Sequence, residues 1–214
     1  HLADLFVLPD RQGLGIGGQL LREVLLDDRP LTTFASSDPR AMPLYLRAGM
    51  RAYWPNLYLA GDPARLPAPS PDLRVVPADL ATVARLDAGW TGADRSPDIA
   101  YWDSLRDVRP FVVERVADGT AVGTGFGRRR LTGHGRWLAR AAVAPEVDGP
   151  PVLLAALVHG LAGVAIAGAC VPGASPLAGQ LLAAGFRVAD HDTFLASDPT
   201  VVDPLREIVD TGVL

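Results

Sequence analysis

Cysteine is almost missing from this chain. Cys170 stands alone among 214 residues, which excludes an intramolecular disulfide and a zinc site built on several cysteines. Histidine is scarce as well. His1, His134, His159 and His191 are scattered, no two at ligand spacing, and no metal centre is expected. Positive charge is not in excess: 20 basic residues face 24 acidic ones, for a net charge of −4. That leaves no electrostatic footprint for nucleic acid. What is present is a chain 49% hydrophobic and 21% charged, able to bury a core rather than stay disordered. The composition fits a reduced, cytoplasmic, globular protein.

One stretch lacks charge altogether. From Pro150 to Phe186 there is no Asp, Glu, Lys or Arg, and the nearly apolar run Val152–Val171 is long enough to span a bilayer. It is Ala- and Gly-rich, however, with no flanking basic anchors or aromatic belt. It also divides naturally into a buried helix, Val152–Leu161, and a buried strand, Val164–Val171, after Gly163. The expectation is core, not membrane. No secretory signal is expected either, because Asp4 breaks the first apolar stretch and no basic segment precedes it.

The chain repeats itself. Ala48-Gly49-Met50-Arg51 returns as Ala184-Gly185-Phe186-Arg187, and Leu59-Ala60-Gly61-Asp62-Pro63 as Leu195-Ala196-Ser197-Asp198-Pro199, both at an offset of 136. The same offset sets Val7-Leu8-Pro9-Asp10 on Val143-Ala144-Pro145-Glu146 and Gly13 on Gly149. Two copies of one fold are expected. The second copy opens near Leu73. The first has no counterpart to positions 73–136, a stretch of 64 residues, so the chain is expected to be the later part of a longer protein. The expected division is an incomplete first copy over 1–62, a proline-rich linker over 63–72, a second copy over 73–199 and a tail over 200–214.

Period and punctuation give the elements. In copy one they predict a strand over Leu2–Leu8, a glycine-rich turn over Arg11–Gly17, and a helix over Gly17–Leu26 with Leu20, Leu21, Val24 and Leu25 on one face. A strand over Leu31–Ala35 follows. Asp38 then caps a helix that has Pro39 first and ends at Gly49, before a strand over Asn56–Ala60. In copy two they predict strands over Leu73–Val76, Phe111–Arg115, Ala121–Arg128, Trp137–Val143 and Thr193–Ala196. Helices over Asp79–Ala88 and Leu177–Ala184 accompany the apolar helix and strand above. The alternation implies an α/β fold: two mixed sheets flanked by helices, the first incomplete.

Candidate chemistry gathers in copy one. Gln12-Gly13-Leu14-Gly15-Ile16-Gly17-Gly18 joins a strand to a helix. Glycines let a ligand approach the backbone, and the helix start aims N–H groups and partial positive charge at an anion such as a pyrophosphate. Arg11 and Arg22 could add charge. A flexible turn without ligand is the competing reading. The loop is not a P-loop, since no Lys-Ser/Thr follows. Gly13, Gly15 and Gly18 fit a dinucleotide spacing, yet the strand Leu31–Ala35 carries no acidic residue. Tyr45, on the later helix, could protonate a leaving thiolate or could simply bury its ring with the hydroxyl at the rim.

Together these residues resemble the GNAT superfamily of N-acetyltransferases. Gln12, Gly15 and Gly17 match the superfamily's acetyl-CoA loop, Gln or Arg, two residues, Gly, one residue, then Gly or Ala. The stretches Asp38-Pro39-Arg40-Ala41 and Tyr45-Leu46-Arg47-Ala48-Gly49-Met50 resemble its later helix. The resemblance implies that main-chain groups of Leu5, Phe6 and Val7 pair with the pantetheine arm. It implies that amides of Gly13, Leu14, Gly15, Ile16, Gly17 and Gly18 hold the pyrophosphate, that Gln12 and Asp38 contact the cofactor, and that Tyr45 protonates the departing thiolate. Asp4 is the candidate base, the competing reading being a solvated strand-edge carboxylate. Acetyl-CoA is the implied co-substrate and an amine, small or peptidic, the acceptor, with no membrane or nucleic-acid partner. The sequence leaves the acceptor's identity and the association state open.

Copy two departs from the loop pattern: Asp148 replaces Gln12, Pro151 replaces Gly15, Leu153 replaces Gly17 and Leu181 replaces Tyr45. Prolines donate no N–H, and Asp148 would repel a pyrophosphate, so copy two is expected not to bind CoA in the usual way. Gly92-Ala93-Asp94-Arg95-Ser96 resembles a segment of the degenerate second domain of some tandem GNAT proteins. Asp94 and Arg95 either face the acceptor or form a capping loop with a surface ion pair. Arg128-Arg129-Arg130 reads as a solvated hairpin end, and Cys170 as a buried inert thiol. A transferase, impaired as this fragment, and a non-catalytic CoA- or ligand-binding tandem protein are the two functional expectations.

Overall fold

The computed structural model describes residues 1–25, 29–104, 107–129 and 135–211. Leu26, Arg130, His134 and the last three residues of the expected tail lie outside that set. In chain order the elements begin with α1 (Ile16–Val24), β1 (Thr32–Ala35), α2 (Ala41–Arg47) and β2 (Arg51–Gly61). Next come β3 (Leu73–Pro77), α3 (Leu80–Thr91), α4 (Ser96–Asp103), β4 (Arg109–Arg115), β5 (Ala121–Arg129) and β6 (Arg136–Val143). They close with α5 (Gly149–Gly160), β7 (Ala167–Pro172), α6 (Pro176–Ala183), β8 (Arg187–Ala196) and β9 (Glu207–Val209). The fold is α/β, with parallel and antiparallel strand pairs and flanking helices, as the alternation implied.

The chain forms two compact units. One contains His1–Asn56 together with His191–Val201; the other contains Leu57–Asp190 and the described residues from Val202 on. In the first, β1 runs antiparallel to the end of β8, with Thr32 opposite Ala196 and Ala35 opposite Thr193. The Trp54 ring stacks on Phe194 at 4.6 Å between centroids. Its core gathers Leu21, Ala35, Tyr45, Met50 and Leu195, with Leu25 packed against it. Leu20 and Val24 of the expected α1 stripe are exposed.

The strand expected over Leu2–Leu8 does not form. Leu2 makes a single parallel bridge to Thr33, its N–H donating to Thr32 O at 2.9 Å. β1 continues to Ala35, but the two segments part after Thr33, and among the described residues no further bridge joins them. Residues 9–11 then form a turn of 3-10 helix.

In the second unit the strands lie in the order β2-β7-β6-β5-β4-β3, with β9 paired to β6. β6 and β7 are parallel, whereas β3–β4, β4–β5, β5–β6 and β6–β9 pair antiparallel. The charge-free stretch divides as expected into α5 and β7, and their side chains are almost all buried. Among the described residues no helix is long and apolar enough to cross a membrane. α4 and β9 were not expected from the sequence.

Elements recur at the 136-residue offset: α1 with α5, β1 with β7, α2 with α6 and β2 with β8. The two later helices end alike. Gly49 (φ +90°) and Gly185 (φ +88°) adopt left-handed backbone. The next residue, Met50 or Phe186, donates its N–H five residues back to Tyr45 or Leu181. This closure satisfies carbonyls that the last turn would otherwise leave unpaired.

Candidate functional site

A cavity of about 370 Å³ opens in the first unit between the glycine-rich turn and α2. The turn reaches it because two glycines take backbone that a side chain would resist: Gly13 has φ +81° and Gly15 φ +77°. A Cβ at either position would meet nothing within 4 Å, so these peptides face open space rather than a packed neighbour. Gly15 is also the N-cap residue of α1. The first hydrogen bond of that helix runs from Gln19 N–H to Gly15 O at 3.1 Å. The N–H groups of Ile16, Gly17 and Gly18 precede it, at the positive end of the helix.

Of the residues singled out from sequence, Leu5, Val7, Gln12, Gly13, Gly15, Ile16, Gly17, Gly18, Asp38 and Tyr45 line this one cavity. Asp4, Phe6 and Leu14 do not. Phe6 is 84% and Leu14 69% exposed. Arg11, Arg40 and Arg47 also line it, while Arg22 lines a neighbouring cavity with Arg47.

Arg40 was not singled out from sequence, yet it ties the site together. Its guanidinium forks onto Asp38, Nε to Oδ1 at 2.9 Å and Nη2 to Oδ2 at 2.7 Å. It also donates to the Gln12 side-chain oxygen. Gln12 Nε2 in turn donates to Val7 O at 3.0 Å. The chain of bonds joins the start of α2, the glycine turn and the segment before it. The hydrogen bond from Arg40 holds the Asp38 carboxyl down at about 2, so Asp38 meets the cavity as a carboxylate already matched by a cation. The signal in the sequence was the Asp-Pro-Arg order, which brings the arginine back onto the carboxylate. Asp38 also accepts from Arg40 N–H at 2.9 Å, but α2 begins at Ala41, later than expected.

Tyr45 is buried in the first core, with its ring against α1 and β1 residues. Burial raises its phenol above the ordinary value; the Thr33 hydroxyl beside it opposes the rise and the Asp4 charge adds to it. The Thr33 hydroxyl donates to Leu2 O at 2.9 Å. Tyr45 thus feels both the Thr33 hydroxyl and the charge of Asp4, although Asp4 itself does not line the cavity. The phenol stays protonated at neutral pH and can act as a proton donor.

In the second unit Asp94 accepts from Ser96 N–H at 2.9 Å, just before α4. Arg95 is 3% exposed, so the surface ion pair expected there is instead buried: Arg95 Nη1 lies 2.8 Å from Asp87 and Nη2 3.7 Å from Glu207. Its place was hidden in the sequence because Glu207 lies in a stretch with no periodic pattern. Arg128, expected as a solvated hairpin end, pairs with Asp210 at 2.5 Å in the interior. Cys170 is buried, as expected. Among the described residues no group of His, Cys, Asp and Glu is arranged to hold a metal.

No family model matches the chain, and no curated protein matches it by sequence. Solved structures do match its fold. A protein from Pyrococcus horikoshii provisionally described as an acetyltransferase superposes with TM-score 0.61 at 15% identity, over 97% of this chain and 69% of that one. A GCN5-related N-acetyltransferase from Sphaerobacter thermophilus gives 0.54 at 14% identity, over 97% and 74%. A tandem GNAT protein from the clavulanic acid biosynthesis pathway gives 0.50 at 18% identity, over 91% and 74%. The chain thus has a fold similar to that of GCN5-related N-acetyltransferases.

Proposed function

We propose that the chain is part of an acyl-CoA-dependent N-acyltransferase, moving an acetyl group from acetyl-CoA to a primary amine. The observation that carries this reading is the open cavity under Gly13 and Gly15, with the start of α1 aimed into it and Tyr45 at its inner end. The site fits the cofactor on its own chemistry. Peptide N–H groups from Gly13 to Gly18 suit a pyrophosphate, Arg11 and Arg47 line the cavity as cations, and the segment Leu5–Val7 has no strand partner among the described residues. Asp38 acts through Arg40 rather than by direct contact, and Gln12 braces the segment by its bond to Val7 O.

In the reaction the amine nitrogen bonds the acetyl carbon, the carbon–sulfur bond breaks, and the thiolate takes a proton from Tyr45. The amine gives up a proton to a base, for which Asp4, close enough to act on Tyr45, is our candidate. We further propose that the two halves are copies of one fold, the first incomplete, and that copy two serves structure or the acceptor pocket. The fold similarity to a tandem GNAT protein and the recurring elements support this.

Calorimetric titration of acetyl-CoA against the wild type and Gly15→Pro tests the loop. Proline cannot adopt φ +77°, so binding should weaken at least about tenfold; equal affinity would sink the assignment. Binding without turnover of any amine would favour the non-catalytic alternative.

A further inference from the structure

The second unit repeats the geometry around the cavity but fills it. In the first unit the parallel pairing stops at Leu2 and Thr33. At the same offset β6 and β7 pair in parallel only as far as Leu138 and Ala169. Past that point both pairs of segments part. In the first unit the gap beside Leu5 and Val7 is part of the open cavity. In the second, β9 occupies it, with Ala141 opposite Ile208 and Ala142 opposite Glu207 in antiparallel register. Val143 N–H donates to Arg206 O at 3.1 Å, and Asp210 N–H to Ala139 O at 2.9 Å. Ala141 and Val143 are the counterparts of Leu5 and Val7.

The approach to the helix start tells the same story. A Cβ on Gly13 would meet nothing, whereas one on its counterpart Gly149 would lie 1.9 Å from Leu205 O. Side chains lock the segment down. Glu207 accepts from Arg140 Nη2 at 2.6 Å and from Asp203 N–H at 2.9 Å, and Asp210 pairs with Arg128. Arg140 stands at the position of Asp4, so the lock uses a cation where the first unit has a carboxylate.

We propose that residues 203–210 are an internal stand-in for the cofactor arm: the chain builds the second cleft shut with its own later strand. The inference rests on the cofactor reading of the first cleft. It assigns one acetyl-CoA per chain, not two, and gives the second unit a permanently closed sheet. Hydrogen–deuterium exchange of the whole chain with and without acetyl-CoA, together with calorimetric stoichiometry, tests it.

Amides of Val143 and 207–210 should exchange slowly in both states, while those of 5–7 exchange quickly and slow by about tenfold or more when acetyl-CoA is added. Gly149→Ala, whose Cβ meets backbone, should speed exchange of 203–210 and leave β3–β5 unchanged. Two cofactors per chain, cofactor-dependent protection at 141–143, or a tail that exchanges like a free end would each overturn the proposal. So would an unaltered tail in Gly149→Ala. Absence of any acetyl-CoA binding alongside a protected tail has a separate signature and would sink the cofactor reading, and this inference with it.

Discussion

Asp38 keeps its negative charge at any ordinary pH because Arg40 is forked onto it, holding its carboxyl at about 2 against 3.8 for a free one. Its contribution to stability is complete above about pH 3.8 and disappears as pH falls through 2. Carbon-detected NMR titration should find that midpoint in the wild type, and Arg40→Ala should return it toward 3.8. Tyr45 behaves in the opposite sense. Its raised phenol costs nothing below pH 10, and stability falls once pH climbs past the unfolded value near 10. Tyr45→Phe should abolish that alkaline loss and, if the phenol is the proton donor, lower kcat by about 10²-fold or more with little change in acetyl-CoA affinity. Not one of the 20 basic residues is a lysine. Label from acetyl-CoA should therefore be found on no lysine among these 214 residues, which mass spectrometry of their peptides checks directly. Residue types at the site were legible because Gly13, Gly15 and Tyr45 belong to a local pattern. Arg40 was not, since its role depends on where Gln12 folds back to.

Helix ends were easier to read than strand ends. Gly49 stops α2 with left-handed backbone and open space around its Cβ, so Gly49→Ala pays only the backbone cost. Thermal or denaturant unfolding should show a loss of about 1–2 kcal/mol. Strands depend on partners, which sequence does not display. Leu2–Leu8 is apolar enough to be a strand, but the segment parts from β1 after the Leu2–Thr33 bridge. β2 runs through Pro55 from Arg51, where proline argues for a later start. α4 escaped notice because its polar and apolar residues share no clear face, and β9 because three residues carry no period.

Arg140 anchors the larger unit. It is fully buried between Asp87, with Nε 2.6 Å from Oδ2, and Glu207. Burial alone would raise the Asp87 carboxyl, but Arg140 and Arg95 outweigh it and the net direction is down. Arg140→Leu strands two carboxylates with one cation and should cost about 3–5 kcal/mol at neutral pH. The gap from wild type should narrow below about pH 3.8, where the wild type begins to lose what Asp87 contributes. The core and the mixed strand directions were legible in the sequence, because the periodicity behind them spans many residues. The interior ion pairs were not, since Asp87, Arg140 and Glu207 meet only once distant segments have paired.

Both units also depend on residues far along the chain from their first elements. His191–Val201 completes the sheet of the first, and Glu207–Val209 that of the second. On the ribosome, the earlier segments of each unit must wait as partly exposed apolar chain until these residues leave the exit tunnel. Neither sheet can close before then, and holdase chaperones should engage the emerging chain in that interval.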